Sequence, residues 1–147
     1  MTKSDPTKKA FATLRFTGDA LDPDEISSAL GTSPTRAYRK GQIFSPGPRT
    51  PRVVGRTGIW YLSTDKLVSS GDLGEHLRYL VEVLAPDSPR EKRLARIREL
   101  MQRDHLEAHV TCFWFGEEGE PEPTIPPEMA ATFARLPADI ETDFSTG

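Results

Sequence analysis

The stretch AFATLRFT, residues 10–17, alternates Ala12, Leu14 and Phe16 on one side with Phe11, Thr13, Arg15 and Thr17 on the other. That is the two-residue period of a half-buried strand, apolar toward a core and mixed on the opposite side. Gly18 ends it, and LDPDEISSALG, residues 21–31, then reads as a short helix. Asp22 stands at the N-cap, Pro23 at the first helical position, Glu25 at the capping-box position and Gly31 just past the last turn, with Ile26 and Leu30 as the buried stripe. A strand followed directly by a capped helix is the opening of an α/β unit, and the rest of the chain repeats it.

GIWYLS, residues 58–63, is a second strand, with aromatic and β-branched content. Asp72 caps a helix whose Leu73, Leu77, Leu80, Val81 and Leu84 follow a helical period until Pro86 stops it. Ser88, Pro89 and Glu91 repeat the cap pattern for a helix to residue 103, apolar at Leu94, Ile97, Leu100 and Met101 and densely basic elsewhere, a face that reads as solvated surface with ion pairs. HLEAHVTCFWFG, residues 105–116, is the longest predicted strand, and Pro126 and Pro127 open a last helix with Met129, Ala130, Phe133 and Leu136 inward. ADIETDF, residues 138–144, closes as a short alternating strand.

Strand, helix, strand, two helices, strand, helix, strand predicts an α+β domain over residues 10–145 behind a flexible tail, residues 1–9. The expected architecture is a ferredoxin-like two-layer sandwich: about four main strands in a mixed or antiparallel sheet, helices packed on one face, and a helical hairpin between two βαβ halves. A hairpin would return the chain to the end of the second strand, so the third strand is expected antiparallel to it. The segment 32–57, with Pro34, Pro46, Pro48 and Pro51, is predicted as an irregular connection holding one short strand around Tyr38.

With 147 residues, 36% apolar and 28% charged, the chain can bury a core without a disulfide or structural metal. It has no apolar run near the roughly 20 residues of a membrane helix and no signal-peptide core behind its first lysines, so the expectation is a cytoplasmic protein that spans no membrane. Cys112, the single cysteine, lies in an apolar run and reads as a small buried hydrophobe. The net charge of −3 conceals a division: residues 26–64 hold six Lys or Arg and no acid, while residues 104–147 hold ten Asp or Glu against one arginine. Such a chain can present a basic face and an acidic face.

DPDEISSALGTSPTRAYRKG at 22–41, IWYLST at 59–64, EHLRYLVEVL at 75–84 and the closing helix and acidic strand together resemble the domain of unknown function 4279 family. The diagnostic positions are Ile26, Leu30, Gly31, Pro34, Thr35, Gly41 and Trp60, within a likeness from about Phe11 to Phe144. The resemblance implies a small bacterial α+β domain and no activity, cofactor or catalytic residue.

No phosphate loop, nucleophile elbow or cysteine ligand set occurs. His105, Glu107 and His109 alternate along a predicted strand, the best metal spacing available, but a polar strand face is the preferred reading and no metal or cofactor is assigned. The residues singled out for binding an anion or a partner are Arg36, Arg39 and Lys40, held beside a helix exit and short strand, together with Trp60, for which a core role is favoured over ligand stacking. The leading expectation is a non-catalytic binding or interaction domain, in one version an immunity-type protein steered onto a basic protein partner. The alternative is a module or enzyme for an anion or small molecule at Arg36, Arg39 and Lys40. Nucleic-acid binding through the basic loop is disfavoured by the pI of 5.6 and the acidic tail.

Overall fold

The computed structural model describes residues 9–45, 51–84 and 90–147. The expected tail, residues 1–9, lies outside them except for Lys9, as do Pro86, Ser88 and Pro89 of the helix-stop and cap readings.

Strand β1 (Lys9–Gly18) is followed by helix α1 (Pro23–Leu30) and strand β2 (Arg36–Tyr38). Two small strands, β3 (Ile43–Phe44) and β4 (Val53–Val54), pair with each other inside the segment predicted as irregular. Then come β5 (Gly58–Ser63), α2 (Leu73–Leu84), α3 (Arg90–Asp104), β6 (Glu107–Gly116), α4 (Pro127–Arg135) and β7 (Ala138–Thr146). The main sheet has five strands in the order β2-β5-β1-β6-β7, antiparallel throughout except for the parallel β6–β7 pair. The α+β class and the mixed, largely antiparallel sheet agree with expectation.

The path between the halves does not. Both β5 and β6 lie antiparallel to β1, so they run the same way, whereas a hairpin would have reversed them. The reason is the packing of α3. Its C-terminal Arg103 bonds Glu25 at the start of α1, and Arg93 lies against Gly31 just beyond the end of α1. α3 therefore runs antiparallel along α1 instead of returning along α2, and the helix pair becomes one crossover to the opposite end of the sheet. In the first half α1 joins β1 to β2 with β5 inserted antiparallel between them, as in a split βαβ unit, whereas in the second α4 joins β6 to β7, which lie side by side with no strand between them.

The local signals explain the helices. Asp22 accepts the Asp24 N–H at 3.0 Å, Gly31 ends α1 in the left-handed conformation at φ 65°, and Asp72 accepts the Gly74 N–H at 2.9 Å. The strands then sort their side chains by parity. Ala10, Ala12, Leu14 and Phe16 of β1, Trp60 and Leu62 of β5, and Ala108, Val110, Cys112 and Trp114 of β6 are buried in one core with Ile26, Leu77, Leu80, Ile97 and Phe133 of the helices. The alternate residues of the same strands form a second sheet face that none of the described helices covers.

One polar group is built into that core. His76 of α2 is buried; its Nε2 lies 2.7 Å from the Ser70 carbonyl and so donates, leaving Nδ1 to accept from the Thr64 hydroxyl at 2.6 Å. The same hydroxyl oxygen accepts the Ala12 N–H at 2.9 Å, while the Thr64 N–H satisfies the Ala12 carbonyl. A polar group this deep is tolerable because each of its atoms is bonded.

Candidate functional site

The uncovered face carries a row of cross-strand neighbours. Arg36 of β2 pairs in register with Tyr61 of β5, Tyr61 with Arg15 of β1, Arg15 with His109 of β6, and His109 with Asp139 of β7. Residues in register on one face stand close enough for their side chains to interact. One step along the strands lies a second row, Tyr38, Ile59, Thr17 and Glu107.

Between β2, β5 and β1 these rows form a concavity of about 450 Å³ lined by Arg15, Thr35, Arg36, Tyr38, Ile59 and Tyr61. Two arginines line it and, among the described residues, no carboxylate does. The Arg15 Nε is shut off from solvent with no hydrogen-bond partner, and Arg15 forms no ion pair among the described residues. Tyr38 is backed by Phe44 at a ring separation of 4.3 Å, so the small β3–β4 hairpin props one wall. Thr35 is fixed by donating its N–H to the Tyr61 carbonyl and accepting the Ser63 N–H at its hydroxyl.

Two neighbouring concavities lack this polarity. One, about 550 Å³ beside Pro34 and Leu62, contains Asp65 and Lys66, whose charges oppose each other. The other, about 660 Å³ beside Ser27, Ser28 and Tyr79, contains no charged side chain. The concentration of one sign of charge singles out the Arg15–Arg36 pocket.

The residues selected from the sequence do not converge. Arg36 faces the pocket. Arg39 instead pairs with Asp22 at 2.9 Å and Asp24 at 3.5 Å, and Lys40 with Asp19 at 3.1 Å, so both tie the β2 exit to the β1–α1 connection. The Asp19 carboxyl is held below its usual range by the Thr57 hydrogen bond and by Lys40. Trp60 lies on the opposite, helix-covered side of the sheet, fully buried, edge-on to Phe16, with its indole N–H donated to the Ser27 hydroxyl at 3.0 Å. Its position is that of a core residue.

Arg15 and Tyr61 were legible as outward-facing strand residues but had no signal of function of their own. Arg15 is remote in sequence from the basic stretch, and only strand pairing brings it near Arg36.

The His105, Glu107, His109 alternation is broken at its start. His105 follows α3 in the left-handed conformation at φ 55° while Leu106 donates its N–H to the Met101 carbonyl, the 6→1 bond of a Schellman helix end. Glu107 and His109 do share the uncovered face, with His109 Nε2 3.6 Å from Glu107 and Nδ1 3.9 Å from Asp139. Among the described residues no group of three His, Cys, Asp or Glu is placed to hold a metal ion. Cys112 is fully buried and burial pushes its thiol up to about 11, which leaves no thiolate nucleophile at neutral pH.

A family model described as Domain of unknown function (DUF4279) matches residues 7–147. The chain belongs to the DUF4279 family. The match takes in all seven strands and four helices, so in this DUF4279 domain the Arg15–Arg36 pocket is made entirely by the family's own fold. No curated protein and no solved structure matches the chain. Among the described residues no helix is long and apolar enough to cross a membrane.

Proposed function

We propose that this DUF4279 domain is a binding module that takes an anionic small molecule on its helix-free sheet face. The observation that carries this reading is the Arg15–Arg36 pocket itself: two arginines and no carboxylate among its described lining residues, and a buried Arg15 Nε with unused hydrogen-bonding capacity. Burying a charged donor without a partner costs stability, and a bound anion repays that cost. The sheet places the basic segment at one edge and the acidic tail at the other, so the pocket is not neutralised by the tail.

Thermal denaturation with acetate, phosphate and sulfate, on the native domain and on an Arg15→Gln/Arg36→Gln variant, tests this. An anion at 100 times its dissociation constant adds about 2.7 kcal/mol. The native domain is expected to be stabilised and the double variant is not. Equal stabilisation of both would place the anion elsewhere.

A basic protein partner, the immunity-type reading, finds a different surface. Asp139, Glu141 and Asp143 alternate, exposed, along β7, and β7 is an edge strand. Complementary charge at such an edge steers association, and its effect falls with salt. Reversing the three acids to lysine keeps the edge charged against aggregation, yet is expected to slow association with a basic partner by at least about tenfold at low salt. An unchanged association rate in surface plasmon resonance would remove β7 from that role.

A further inference from the structure

The pocket holds more than charge. Its residues divide by row: Arg36, Tyr61 and Arg15 share one register row, and Tyr38 and Ile59 share the next. The first row is cationic at both ends. Its Arg15 and Arg36 backbones are two strand spacings apart, roughly 10 Å, so their long side chains can close on one anionic group over Tyr61. The second row is apolar, with Ile59 half-buried at the floor and the Tyr38 ring stiffened by Phe44 behind it. Neither the Tyr38 nor the Tyr61 hydroxyl bonds the protein among the described residues, so both stay available to a ligand.

Beyond Arg15 the field reverses. Glu107, Asp139, Glu141 and Asp143 occupy the β6–β7 side of the same face. A ligand carrying several charges along its length would extend from the arginines into these acids, or across the apolar row. A ligand with one charged end would not. The volume of about 450 Å³ is in the range that encloses a small organic molecule and exceeds what a bare inorganic ion fills.

Building on the anion-binding reading, we infer that the ligand class is a monocarboxylate with a flat apolar body. The carboxylate sits between Arg15 and Arg36, and the body lies over Ile59 against Tyr38. The bidentate geometry of guanidinium suits a carboxylate, and a planar body uses the ring faces with little loss of conformational freedom.

The test is isothermal titration of the full chain with 2-naphthoate, its neutral isostere 2-naphthamide, acetate and inorganic phosphate. Methyl NMR of Ile59 serves as a second readout that needs no variant. Naphthoate is expected to bind at least about tenfold tighter than the amide, which leaves the Arg15 Nε unpaired, and than acetate, which lacks the body. Naphthoate should also shift the Ile59 methyl signals and bind at least about tenfold more weakly to Arg15→Gln. If acetate or phosphate binds as tightly as naphthoate and depends on Arg15, the ligand class is overturned while the anion-binding reading stands. If no anion binds, both fall. Naphthoate binding that leaves the Ile59 signals or the Arg15→Gln affinity unchanged overturns the assignment of this pocket.

Discussion

Arg15 occupies the central strand, on the side that no helix covers, with its Nε buried and unbonded. A residue retained for packing alone would be better served by methionine, which fills a similar volume and leaves no donor unsatisfied. Arg15→Met is therefore expected to raise the unfolding free energy by about 1 kcal/mol, the recovered cost of an unpaired buried group, while abolishing the response to anions. Urea denaturation measures the first effect and the ligand shift the second. A loss of stability would show that the guanidinium supports the fold. Trp60 makes the contrast: its N–H is bonded, its ring is packed and its side chain faces the helices, so it contributes to the core and not to the pocket. Both residues were assigned to strands correctly, Arg15 from alternation and Trp60 from aromatic and β-branched content, but only the location of the helices says which side of a strand is covered.

At the scale of elements, joints carry the information. Thr64 joins three of them, bonding Ala12 of β1, following β5, and bonding His76 of α2. Thr64→Val preserves shape and removes the hydroxyl, leaving the Ala12 N–H and His76 Nδ1 without their partner, an expected loss of about 2–4 kcal/mol by urea denaturation. A change below about 0.5 kcal/mol would mean the network is replaceable, by water or by repacking. Helix boundaries were readable because caps are local chemistry: Asp22, Gly31 and Asp72 act within a few residues of themselves. The β3–β4 hairpin was not readable. Its two-residue strands are separated by proline-bearing sequence, and the exposed Ile43, Val53 and Val54 give no periodic signal. His105 was read as the first residue of a strand because its neighbours favour one, yet the Schellman bond from Leu106 claims it for the end of α3.

Across the whole molecule, the opposed charges of the two sequence segments become opposed edges of one sheet, because the strand order carries β2 and β5 to one side and β6 and β7 to the other. Arg39 and Lys40, singled out for binding an anion or a partner, are instead matched locally by Asp19, Asp22 and Asp24. Cys112 reports on the integrity of the core between these edges. Its folded thiol is pushed up to about 11, above the 9.0 of an exposed one. As pH rises past 9 the unfolded chain gives up a proton that the folded chain keeps, so this group's contribution is complete below 9 and declines toward 11. Compared with Cys112→Ala, the native domain should lose about 1 kcal/mol more between pH 8 and pH 10. Parallel pH profiles for the two proteins would show that the thiol is reached by solvent in the folded state.

The sequence by itself determined the class of fold, most element positions, the two sides of each long strand and the family resemblance, since periodicity, caps and turn residues act over a few neighbours. The tertiary structure alone decided that α3 lies along α1 and that β5 and β6 run parallel to each other. It alone decided that Arg15 meets Arg36 across Tyr61, because strand pairing and helix packing join residues that are distant in the chain and leave no local trace in it.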